Sequence, residues 1–116
     1  MSIDQRVACR LSPTLPGDLP RAGEWRRADY KGTPIHTFSG RGWLINVMVE
    51  ADLDEDLQEA LAEELAAAED ERDPAEFGVT VNVTLEPAGA PQDGVDLMMA
   101  VLELLAKTCD GVVLAN

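Results

Sequence analysis

The chain is short of most residues that announce a chemistry. It carries one histidine, two cysteines, two tryptophans, one tyrosine and two phenylalanines in 116 residues. Cys9 and Cys109 stand a hundred positions apart with no CxxC partner, which removes the usual zinc spacing and points to reduced, buried thiols rather than a disulfide. There is no G-x-S-x-G and no G-x-x-x-x-G-K, so neither a nucleophile elbow nor a phosphate-cradling loop is written in the sequence. No apolar run approaches the roughly 18 residues that span a bilayer, and "MSIDQRVACRLSP" has no secretory core. A cytoplasmic protein is the expectation.

Positive charge is the other scarcity. Nine Lys and Arg face 22 Asp and Glu, a formal net charge of −13, which argues against nucleic acid or an anionic membrane as a direct ligand. The imbalance is segregated. Met1 to Arg41 holds seven bases against four acids, whereas Asp52 to Glu76 holds twelve acids against Arg72 alone.

A chain of this length with 46% apolar residues forms one domain. With so few aromatics, its core must come from Val, Leu, Ala, Met and Ile, which suits helices packed on a sheet. Residues 1–41 read as an irregular or hairpin part: "QRVACRL" as a short strand, "SPTLPGDLPRAG" as a loop, and "EWRRADYKGTPIHTF" as a turn between strands. Residues 42–116 read as strand, helix, strand, helix, strand.

Trp43, Ile45, Val47 and Val49 share one face of the first of these strands. In "FGVTVNVTLE", Val79, Val81, Val83 and Leu85 point inward while Thr80, Asn82, Thr84 and Glu86 point to water. A helix is predicted over Gln92 to Thr108, with Val95, Met98, Met99, Leu102 and Leu105 on its apolar side and Leu97, Val101 and Leu104 widening it. "DGVVLAN" is a turn and a last strand. The fold expected is an α+β two-layer sandwich, an antiparallel or mixed sheet with both helices on one face, ferredoxin-like in its C-terminal part.

The remaining helix lies in "ADLDEDLQEALAEELAAAEDERD". Asp52 and Glu55 match the ends of a capping box, Leu53, Leu57, Leu61, Leu65 and Ala68 form the buried stripe, and Pro74 stops the run. Asp52, Asp54, Asp56 and Glu63 imitate EF-hand spacing, but Leu57 occupies the position that requires glycine, so no metal is expected. His36 in "TPIHTF" would have to serve any triad with Cys9 or Cys109, and no local motif supports it; a structural or surface histidine is expected. Paired-carboxylate catalysis needs acids held across a pocket, and these crowd one helix. Neither enzyme activity nor a cofactor is expected.

Helical spacing puts Glu55, Asp56, Glu59, Glu63, Glu69 and Asp70 on an exposed ridge, away from the leucines. No Lys or Arg follows at i+4 to compensate them, Glu59 and Glu63 repel, and Glu69 and Asp70 oppose the helix dipole. Such a ridge suits a basic protein partner, a toxin or a nuclease.

The C-terminal stretches "FGVTVNVTLEP" and "GVDLMMAVLELLAKTCDGVVLAN" resemble the closing strand, helix and strand of small acidic immunity proteins from bacterial polymorphic and swarming-inhibition toxin systems. The resemblance implies an intracellular inhibitor that neutralises a cognate toxin by binding. It brings no catalytic or ligand motif with it. Two alternatives share the charge argument: a phage-type nucleic-acid mimic that blocks a nuclease, and an assembly module that works through Met48 or an exposed sheet edge while its acidic face is merely solvated. Arg26, Arg27 or Arg41 docked on the ridge would turn it into an internal salt-bridge network.

Overall fold

A computed structural model describes residues 2–51 and 53–114. Six strands, β1 (Ile3–Cys9), β2 (Arg26–Tyr30), β3 (Thr33–Ser39), β4 (Leu44–Ala51), β5 (Val79–Glu86) and β6 (Gly111–Leu114), form one sheet in the order β2-β3-β4-β5-β1-β6. Every neighbouring pair is antiparallel. Helix α1 (Glu55–Ala67) lies between β4 and β5, and α2 (Gln92–Thr108) between β5 and β6. The α+β expectation therefore holds, including the antiparallel sheet.

The local causes are readable. Lys31 and Gly32 both have positive φ, 51° and 82°, the signature of a type I′ turn, and they fold β2 onto β3. Strand β1 inserts between β5 and β6, so those two run parallel with one strand between them, joined by α2. That is a split βαβ unit, the ferredoxin-like element expected of the C-terminal part. Residues 1–41 do not stand apart from it, because β1 lies inside the sheet and β2 and β3 extend its other side.

The main core lies under α2. Val7, Cys9, Ile45, Val47, Val81, Val83 and Leu85 on the sheet meet Leu97, Met98, Val101, Leu102 and Leu105. Each fully buried aliphatic side chain contributes about 1.5–3 kcal/mol of transfer free energy. The span of α2 is the one its periodicity predicts, but Met99 is half exposed rather than part of the apolar side.

The proline-rich loop after β1 covers the part of this face that α2 does not reach. It brings Leu15 and Leu19 into the core and anchors Trp25, whose indole N–H donates to the Pro20 carbonyl at 2.7 Å. Trp25 and Trp43 flank Phe38 at ring-centroid distances of 5.5 and 5.7 Å. A side chain at Gly40 would fall inside the Trp43 indole, so this turn needs glycine for space.

Helix α1 corrects the expectation that both helices share one face. Its Leu61 and Leu65, with Leu57 and Leu53, pack on Ala8, Val112 and Leu114. Those residues alternate with Val7, Cys9 and Val113 under α2, and a one-residue step along a strand changes face. So α1 covers the opposite side of the sheet, at the β1–β6 end. Thr80, expected in water, stands opposite Ala8 on this face and is fully buried, and its hydroxyl has no partner.

The cap differs too. The helix begins at Glu55, and the Asp54 carboxylate accepts from the Leu57 N–H at 2.8 Å; Asp52 lies outside the described residues. At the other end, Asp70 N–H reaches Leu65 O at 2.8 Å and Glu69 N–H reaches Ala66 O at 3.1 Å, a Schellman closure. Glu69 sits at its left-handed position, φ 54°, where glycine is usual.

Candidate functional site

The predicted ridge divides into two groups. Glu55, Asp56, Glu59 and Glu63 are all exposed on the side of α1 turned away from Leu61 and Leu65. They span about 12 Å of helix at 1.5 Å per residue. Among the described residues no ion pair reaches any of the four. Their helical neighbours at three and four positions include Ala60, Ala62, Ala66 and Ala67, too short to shield a carboxylate and unable to neutralise one. Glu55 and Asp56 are favoured at the positive end of the helix dipole, whereas Glu59 and Glu63 repel one turn apart.

Asp70 does not belong with them. Its carboxylate accepts from Arg72 Nε at 3.0 Å and Nη2 at 2.6 Å. Arg72 also reaches Asp110 at 2.7 Å, Asp110 binds Arg10 at 2.6 Å, and Arg10 binds Glu76 at 2.6 Å. The chain of five charges ties the segment after α1 to the end of β1 and the start of β6. The hydrogen bonds from Arg72 hold the Asp70 carboxyl down at about pKa 2, and reciprocally raise Arg72. Asp70 is thus a structural acid. Glu69 is exposed but belongs to the helix stop, not to the α1 ridge proper.

The basic N-terminal part does not quench the ridge. Arg26 and Arg27 lie on β2, at the sheet edge opposite β6, about 24 Å from it at 4.8 Å per strand spacing. Arg27 pairs with Asp29 at 3.6 Å and Arg21 with Glu24 at 2.5 Å. The charge segregation seen along the sequence becomes a segregation in space, with an acidic helix at one end and a basic strand at the other.

Because α1 covers only one end of its sheet face, the rest is open. Tyr30, Ile35, Thr37, Asn46, Met48, Asn82 and Thr84, from β2 to β5, line a shallow basin of about 440 Å³ on this open part. Thr37 Oγ1 donates to Asn46 Oδ1 at 2.7 Å, and Arg6 Nε to Asn82 Oδ1 at 3.1 Å. Alternation in β4 and β5 marks Asn46, Met48, Asn82 and Thr84 as the outward set, but only the position of α1 at the β1–β6 end shows that this part of the face is left open.

The residues weighed for catalysis are scattered. His36 lines a cavity of about 460 Å³ with Leu15, Trp25, Arg27 and Val49. Its pKa is lowered, first by burial and then by Arg27, and its Nδ1 has no partner. Three strand spacings, about 14 Å, separate β3 from β1 and Cys9. Burial, and then the neighbouring Cys109, push the Cys9 thiol up to about 12, far from a thiolate nucleophile. No three His, Cys, Asp or Glu among the described residues are placed to hold a metal ion, and Asp54, Asp56 and Glu63 follow the helix instead of converging. Among the described residues no helix is long and apolar enough to cross a membrane. No protein-family model, curated protein or solved structure matches the chain.

Proposed function

We propose that this protein is a non-enzymatic inhibitor that binds a basic protein through Glu55, Asp56, Glu59 and Glu63, and that it acts in the cytoplasm as an immunity protein against a cognate toxin. The observation that carries this reading is the absence, among the described residues, of any cation on those four carboxylates, although the chain has arginines to spare elsewhere. Uncompensated charge on one helix face costs stability and produces a directed field, and steering of an oppositely charged partner is what such a field does well.

Toxins that act on nucleic acid must themselves be basic where they hold the phosphates. An acidic ridge fits that surface by charge.

The test needs a basic protein partner, sought first as the product of the gene immediately upstream; a product there that is not basic or does not bind counts against the immunity reading. Reversing Glu55, Glu59 and Glu63 to Lys is expected to slow its association about tenfold or more at low salt, with a smaller effect at high salt. An unchanged association rate removes the ridge from the interface. If the partner is a nuclease and duplex DNA competes for the same site, the protein is a nucleic-acid mimic rather than a dedicated immunity protein.

A further inference from the structure

Strand β2 is an open edge. All five of its residues are exposed, and β3 occupies only one of its sides. The two-residue Lys31-Gly32 turn closes on the facing pair Tyr30 and Thr33, and such a turn is flanked by a pair that exchanges both backbone hydrogen bonds. Alternation then assigns the N–H and C=O groups of Tyr30, Ala28 and Arg26 to β3, and leaves those of Arg27 and Asp29 facing outward. Pro34 agrees with this parity: it stands opposite Asp29, at a position where β2 requires no N–H from it.

We infer that β2 is a self-pairing edge, and that a second copy of this chain docks antiparallel along it about a two-fold axis at Ala28, joining two sheets into one of twelve strands.

Backbone parity and charge select this register together. Only a two-fold axis centred on Arg27, Ala28 or Asp29 matches outward groups with outward groups across this strand. Centring on Arg27 sets it against Arg27 of the partner subunit, and centring on Asp29 sets two carboxylates face to face; like charges directly opposite are destabilising. Centring on Ala28 places Arg27 opposite the partner's Asp29 and Asp29 opposite the partner's Arg27, each pair exchanging two backbone hydrogen bonds. On the other face Arg26 then lies across from the partner's Tyr30, a residue 59% exposed in the single chain whose ring already takes the Lys31 ammonium at 5.4 Å and suits a guanidinium likewise. The interface is isologous, as a closed dimer requires.

The field of the whole molecule permits it. The α1 ridges sit at the far ends of the joined sheet, on the order of 48 Å apart at 4.8 Å per strand, several screening lengths at physiological salt. Five residues make a short edge, so the dimer is weak, forming at about 10–1000 μM.

Sedimentation equilibrium of the full chain, from about 10 μM to about 1 mM at roughly 0.15 M salt, should show the mass rising from 12.5 kDa toward twice that value. Arg27→Asp and Asp29→Arg should each weaken association about tenfold or more, by creating two like-charge pairs. The double variant restores opposite charges across the axis and should dimerise like the parent. Both side chains are about two-thirds exposed, and circular dichroism checks that each variant is folded. A monomer throughout the range overturns the inference, as do single variants that dimerise normally or a double variant that does not recover. Because no ridge residue is altered, these outcomes are independent of the α1 proposal.

Discussion

Asp70 and Glu59 are both carboxylates of the acidic segment, and their surroundings assign them opposite roles. Glu59 has Glu55, Asp56, Ala62 and Glu63 three and four positions away and no Lys or Arg within a helical turn, so its charge is available to a partner. Asp70 is held by Arg72 through three side-chain contacts of 2.6–3.0 Å, and its pKa falls from an ordinary 3.8 to about 2. A carboxylate whose folded pKa is depressed contributes stability that is complete above its unfolded pKa and is lost as pH falls through the folded one. The stability difference between the parent and Asp70→Asn is therefore expected to be full at pH 7, to shrink below about pH 4 and to vanish near pH 2. Urea unfolding at a series of pH values measures it, and a difference independent of pH would show that the Asp70 charge is not what Arg72 stabilises.

Among the elements, α1 and α2 contrast in what the sequence reveals. The apolar face of α2 is broad enough to fix its span and its burial, and Gln92–Thr108 follows from periodicity alone. The stripe of α1 is narrow, with Leu61 and Leu65 its fully buried members, and says nothing about which side of the sheet will receive it. Its end is the more informative feature. Glu69 closes the Schellman motif from a left-handed backbone that costs an L-residue about 1 kcal/mol. Glu69→Gly is expected to raise stability by about 0.5–1 kcal/mol while leaving partner association unchanged, because the α1 ridge proper ends at Glu63. Loss of stability on denaturant unfolding would show that the Glu69 carboxylate supplies more than its backbone costs.

At the scale of the molecule, a net charge of −13 concentrated on one end opposes compaction. The Arg10 and Arg72 network offsets it locally, joining Glu76, Asp110 and Asp70 across three elements, but leaves the ridge alone. Raising salt from about 10 to about 150 mM shortens the screening length from about 30 to about 8 Å. That damps the repulsion among Glu55, Asp56, Glu59 and Glu63 more than it weakens the short, half-buried pairs. The melting temperature is expected to rise by several degrees over this range, read by calorimetry. A fall would mean that the arginine network outweighs the repulsion.

The sequence by itself determined the strands, the span of α2, the α+β class and the segregation of charge, because alternation, helical spacing and turn chemistry act within a few residues of one another; α1 instead closes at Ala67, well before the Pro74 expected to stop it. Only the tertiary structure decided that β1 lies inside the sheet, that α1 takes the face opposite α2, that Thr80 is buried, and that β2 is left as an open edge. It also separated Asp70 from the ridge and kept the arginines of β2 away from it. These outcomes depend on pairings between residues up to a hundred positions apart, such as Arg10 with Asp110. A strand pattern specifies which residues share a face but not which helix will cover it; long-range packing supplies that choice.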